Sequence, residues 1–220
     1  MGVKQQVLYW DIKMKDPRFY VYLIESPSAQ DLLESALEGR TLTEALHVSG
    51  IDCSYYLAAN YQTFDQALGQ RLENTLFSDG HRRLPIIHIS AHGNPQGMAF
   101  TDGTFIAWDA LYHRLLNLNE RFNGGLIVSV SACFGAYANQ LLKPNQRPPF
   151  FALVGPTNSI ALSDLAIGYA AFYHNIKKFW NIESAFNAMK MASGNHEFQI
   201  TYGNAQQSYQ TVLQGATSAW

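Results

Sequence analysis

The sequence predicts an α/β three-layer sandwich: a mostly parallel sheet of roughly six strands, helices on both faces, and a small β-hairpin set off from the main sheet. Three observations carry this. Short runs of β-branched and aromatic residues alternate with segments of helical apolar spacing, the pattern of strand–helix–strand units whose crossovers lay strands parallel. The first such run, Phe19-Tyr20-Val21-Tyr22-Leu23-Ile24, is continuously apolar, as expected of a strand covered on both faces. Finally, Asp102-Gly103 sits between two β-prone stretches, a strong short-range hairpin signal.

Taken in order, the first strand covers residues 19–24 and is closed by Ser26-Pro27. Over residues 28–37, Leu32, Leu33, Ala36 and Leu37 recur at helical spacing, and Ser28 with Asp31 offers a capping-box start. Thr41 with Glu44 offers a second box, opening a turn or two that stops at Gly50. Residues 52–58 read as a strand, 63–77 as a helix turning Phe64, Ala67, Leu68, Leu72 and Leu76 inward, and 84–90 as the third strand. The hairpin at 98–107 is expected outside the main sheet. A helix at 109–117, a strand at 125–131, a helix at 135–142 and a strand at 150–154 follow. The longest helix is placed at 164–180, another at 182–192, and a last strand at 198–202. With no internal repeat and one short Pro-rich connector at 143–149, residues 1–220 are expected to form a single domain.

Composition narrows the function. Hydrophobic residues make up 47% and charged residues only 15%, against a usual share of roughly 25%, which is the balance of a folded globule. A net charge of −2 and a pI of about 6.4 offer no electrostatic reason for nucleic acid or an anionic membrane as partner. The pairs Arg82-Arg83 and Lys177-Lys178 are too short to change that. Two cysteines are too few for a disulfide framework or a four-thiolate zinc site, so a reducing compartment, the cytoplasm, is expected. Residues 1–15 lack the pattern of a secretory signal, and Gln6 stands where a myristoylation signal needs Ser or Thr. No phosphate loop or dinucleotide fingerprint appears, and no cofactor is expected.

In a doubly wound sheet, reactive side chains gather where strands end at their carboxyl edge. The third strand runs out in His88-Ile89-Ser90-Ala91-His92-Gly93 and the fourth in Ser129-Val130-Ser131-Ala132-Cys133-Phe134-Gly135. If these strands are parallel neighbours, His92 and Cys133 emerge one strand spacing, roughly 4.8 Å, apart. An imidazole beside a thiol favours the nucleophilic thiolate, and Gly93 and Gly135 let a substrate backbone approach free N–H groups.

The order strand–His-Gly, Asp-Gly hairpin, strand–Ala-Cys-x-Gly resembles the caspase-like cysteine peptidases of clan CD, and within them the compact bacterial CHAT-type peptidases, over residues 19–203. The resemblance implies a His92/Cys133 dyad that cleaves a protein substrate, with the N–H groups of Gly93 and Cys133 as oxyanion hole and no third catalytic side chain required. It also implies control by an activating partner, a small-molecule signal or self-assembly, as in bacterial stress or antiviral defence. Ser131 stands where relatives carry an acidic or amide residue lining the substrate pocket. Asp164 is then the nearest acidic candidate for that pocket, its simpler role being to cap or complement the long helix. The balance falls on a neutral pocket.

The plainer readings are these. Cys53 is a core residue, and His88 with His92 are too far apart on a strand, about 13 Å, to share a metal ion, so no metal site is expected. Ser131 lacks the Gly-x-Ser-x-Gly setting of a serine hydrolase. The alternative to an active peptidase is a catalytically inactive caspase-like scaffold or ligand-sensing module.

Overall fold

The computed structural model describes residues 19–77 and 83–204; the readings of residues 1–15 and of Arg82 lie outside them. The strands are β1 (Phe19–Ser26), β2 (Cys53–Leu57), β3 (Leu84–Asn94), β4 (Gly97–Ala99), β5 (Phe105–Ala107), β6 (Ile127–Ser131), β7 (Ala152–Pro156) and β8 (Phe198–Tyr202). The main sheet runs β2-β1-β3-β6-β7-β8. The first five strands of that order are parallel, and β8 closes one edge antiparallel to β7.

The helices are α1 (Ala29–Glu34), α2 (Glu38–Val48), α3 (Tyr61–Gln66), α4 (Leu72–Phe77), α5 (Tyr112–Arg121), α6 (Leu162–Phe179) and α7 (Ile182–Ser193). One sheet face carries Tyr22, Ile24, Ile87, Ile89 and Val130 against Phe64, Leu68, Leu72 and Leu115 from α3 to α5. The other carries Val21, Leu23, Ile86, Ile127 and Val154 against Leu42 and Leu46 of α2, Tyr169, Phe172 and Tyr173 of α6, and Met189 of α7. Adjacent strand positions serve opposite faces, which is why the strands read as unbroken apolar runs.

The three-layer prediction holds, and four local expectations are corrected. The helix expected at 28–37 ends at Glu34, where Ser35 turns left-handed (φ 57°), and Leu32 and Leu33 lie exposed rather than inward. Its capping box is present, but none of its residues is buried, so nothing drives it longer. The next helix begins at Glu38 instead of near Thr41, because its N-terminus is capped from another element: Gly39 N–H donates to the Glu25 carboxylate of β1 at 2.8 Å. The helix of 63–77 is interrupted around Gly69, where a π-helical stretch separates α3 from α4, although its five inward residues are all buried. The stretch after Cys133 is a 3-10 helix (Gly135–Leu141).

The hairpin forms as β4 and β5, but it is not detached. β3 continues past Ser90 to Asn94 and pairs antiparallel with β4, His92 opposite Ala99 and Gly93 opposite Met98. Asn94 Oδ1 accepts from the N–H groups of Gln96 and Gly97 and closes that turn. Buried Met98 and Phe100, the latter against the Phe64 ring, fasten the excursion to the core.

Candidate active site

The β3–β6 ladder ends with Ser90 opposite Ser131, and each chain runs on two residues, to His92 and Cys133. Both therefore fall in the next row beyond the ladder, at the carboxyl edge and on the same nominal face. The two elements differ in how they reach that row. β3 stays extended, its His92 backbone held by β4. β6 instead breaks into a turn: Phe134 is left-handed (φ 60°), its N–H donates to Asn158 O at 3.2 Å, and Gly135 N–H donates to Ala132 O at 2.9 Å. A non-glycine residue in that conformation costs roughly 1–3 kcal/mol, a strain that concentrates at functional turns. The turn needs Gly135, since a Cβ there would lie 2.4 Å from Val130 O.

Cys133 is half-buried, with its thiol 3.9 Å from Ile160 O. Among the described residues, its N–H takes no part in the hydrogen bonds that close the turn. Gly93 lies directly against it: a Cβ at 93 would sit 2.6 Å from Cys133 O and 3.1 Å from the Ala132 methyl. The two residues expected to supply oxyanion donors are thus in backbone contact.

His92 has a partner that the sequence reading did not provide. Its Nε2 lies 2.6 Å from Asp31 Oδ2 on α1, with the His92 side chain 61% exposed and that of Asp31 26%. The same Oδ2 accepts from Ser28 N (2.8 Å) and Ser28 Oγ (2.6 Å). Burial works against charge on Asp31, yet the hydrogen bonds from Ser28 and His92 outweigh it and hold its carboxyl below the ordinary value. The capping motif was visible in sequence, whereas the contact spans 61 positions and had no sequence signal.

The two residues expected to line a pocket lie apart in character. Ser131 is fully buried, one row below Cys133, and its Oγ has no hydrogen-bond partner among the described residues. Asp164 is not a helix cap: Ala161 holds that position, and Asp164 lies in the first turn of α6, where its charge suits the helix dipole. Its carboxylate accepts from Asn195 Nδ2 at 2.9 Å and from Ser163 Oγ at 3.5 Å.

Beneath the row runs a polar column on the α2–α6 side of the sheet, formed by Ser90 and His88 in β3 and Ser131 and Ser129 in β6. His88 is completely buried, with Nδ1 2.8 Å from the Tyr173 hydroxyl and Nε2 3.5 Å from the buried Glu38 carboxylate. The matched alternation His-Ile-Ser-Ala-His and Ser-Val-Ser-Ala-Cys was the available signal for this column. His88 lies in the core and His92 at the surface, and no cluster of metal-binding side chains occurs among the described residues. Cys53 is a different thiol: burial, then the charges of Asp52 and Glu44, push it up to about 12.

Neither a family model nor a curated protein sequence matches this chain. Solved structures do. The Drosophila initiator caspase Dronc aligns over 83% of this chain and 79% of its own, with a TM-score of 0.55 at 10% identity. Caspase-1 from Spodoptera frugiperda aligns over 92% of each chain, with a TM-score of 0.57 at 11% identity. The fold is caspase-like. The caspase-like sheet thus carries a His-Gly at the tail of β3 and an Ala-Cys-x-Gly at the tail of β6, with the hairpin between them. Among the described residues, no helix is long and apolar enough to cross a membrane.

Proposed function

We propose that this chain is a cysteine endopeptidase of the compact bacterial CHAT type, cleaving a protein partner in the cytoplasm with a His92/Cys133 dyad. The observation that carries the reading is the shared row of His92 and Cys133 at the carboxyl edge of neighbouring parallel strands, with Gly93 packed on the Cys133 carbonyl. The Cys133 thiolate attacks the scissile carbonyl carbon, and the N–H groups of Gly93 and Cys133 hold the oxyanion. As the tetrahedral intermediate collapses, the C–N bond breaks and the His92 imidazolium gives its proton to the leaving amine. The neutral imidazole then takes a proton from water, whose oxygen attacks the thioester, and the carboxyl product leaves with the thiol restored.

Ser131 lies buried beneath Cys133 and brings no charge under the pocket for the side chain preceding the cleaved bond, and the Asp164 carboxylate is engaged by Asn195. A neutral residue is therefore selected, and Asp164→Asn keeps the same preference in a peptide library. A strong Arg or Lys preference lost in that variant would reverse this. Activity is low in the isolated chain and rises with an activating partner, a small-molecule signal or assembly; the exposure of His92 supports this, since ion pairing open to water is weak. A role in antiviral defence follows from the CHAT-type likeness alone.

The second reading, a catalytically inactive scaffold or ligand-sensing module, draws support from the half-buried thiol directed at Ile160 O. Mapping new protein N-termini in cells expressing the wild type against Cys133→Ala separates the two. Termini that appear only with the wild type support the peptidase, and identical sets support the inactive module.

A further inference from the structure

The geometry points to Asp31 as the positioning residue for His92, making the working unit Asp31–His92–Cys133. This deepens the peptidase reading and rests on it for its catalytic meaning. An ionised carboxylate only accepts hydrogen bonds, so the 2.6 Å contact makes His92 Nε2 the protonated nitrogen. The ring is then fixed in the tautomer that leaves Nδ1 as the nitrogen able to exchange a proton with the thiol. Once Nδ1 is protonated, the same carboxylate stabilises the imidazolium.

Three features separate this from an incidental surface pair. Asp31 is itself located: Ser28 N–H and Oγ–H both donate to the oxygen that faces His92, so the carboxylate is oriented before the imidazole arrives. His92 is fixed from the other side by the β3–β4 pairing of its backbone. And α1 buries none of its residues, so the Asp31–His92 contact ties it to β3 at the rim of the site. A carboxylate used only as a helix cap has no need of a histidine, since Ser28 already completes the capping box.

The test compares Asp31→Asn, Asp31→Glu and Leu33→Ala in the full chain. Leu33 is exposed on the same helix, so Leu33→Ala alters the surface of α1 while keeping its helix propensity and the carboxylate. Nitrogen-resolved NMR of His92 reports its tautomer without any substrate. The kinetics of peptide turnover report the catalytic consequence.

In Asp31→Asn, His92 loses its Nε2–H preference. Peptide kcat falls about tenfold with little change in KM. Asp31→Glu recovers part of each effect, and Leu33→Ala leaves the His92 tautomer and kcat unchanged. An unaltered His92 tautomer in Asp31→Asn, or the same change in Leu33→Ala, overturns the assignment. Should wild type and Cys133→Ala turn over peptides alike, the peptidase reading falls, while the His92 tautomer still decides the role of Asp31.

Discussion

Substituting Gly93 by alanine tests whether the site depends on the contact between β3 and the Cys133 turn. The added Cβ would stand 2.6 Å from Cys133 O and 3.1 Å from the Ala132 methyl. Neither neighbour is the free end of a flexible side chain, so the backbone must open by roughly 0.8 Å or more to restore an ordinary contact distance. Overpacking of this kind costs about 1–3 kcal/mol. In a chain of this size that corresponds to a fall in Tm of roughly 2–12 °C. The same shift moves the Cys133 carbonyl and N–H relative to Gly93, and a misplacement near 1 Å costs on the order of 100-fold in rate. Thermal denaturation by circular dichroism and labelling by a thiol-reactive peptide electrophile measure the two effects. A Gly93→Ala protein with wild-type Tm and wild-type labelling would refute the argument that this close approach builds the site.

Alkylation with iodoacetamide near neutral pH gives a single adduct, at Cys133, which disappears in Cys133→Ala, because burial pushes the Cys53 thiol up to about 12; peptide mapping by mass spectrometry reads the position. Glu25→Ala destabilises by about 2–4 kcal/mol, since it strips an acceptor from Gly39 N–H and from the Tyr55 hydroxyl in the interior, whereas Glu25→Gln keeps an acceptor and costs little. Burial raises the Glu25 carboxyl despite those hydrogen bonds, so the folded state binds its proton more tightly than the unfolded chain does. Wild-type stability relative to Glu25→Gln therefore falls as pH rises from the ordinary carboxyl value through the raised one, which urea titrations across that range detect. The connector at 143–149 stays intact in the wild type, as intact-mass measurement checks. It leads into β7 at the edge opposite Cys133, because Ala152 pairs with Ile127, six residues or about 20 Å before the cysteine. Lys143–Asp109 and Arg147–Glu120 ion pairs and the Asn119 amide on Pro148 O hold it there.

Apolar periodicity made the layers legible. Phe64, Ala67, Leu68, Leu72 and Leu76 are buried as their spacing implied, and the strands of both cores are continuous apolar runs because each is covered twice. Periodicity failed where the helix had no core to face. Leu32 and Leu33 have helical spacing, but α1 buries none of its residues and leaves both exposed. It failed again at α2, where the start is set by Glu25, distant in sequence, rather than by the local Thr41–Glu44 pair. Local capping rules assume that orphan N–H groups are satisfied nearby, and here a strand carboxylate outcompetes them.

The same distinction governs the site. His92 and Cys133 were legible because both terminate strands, and topology alone brings strand ends to one edge. Asp31 was legible only as half of a capping box, because its second use depends on where a six-residue helix comes to rest. One carboxylate oxygen serves both uses, so the helix start and the histidine orientation are coupled. A disturbance that melts the capping box also releases His92, and any ligand that seats α1 more firmly sharpens the imidazole's orientation. The exposed Leu32 and Leu33 lie on that same helix, so contact there acts on the site through Asp31 without reaching into the substrate pocket.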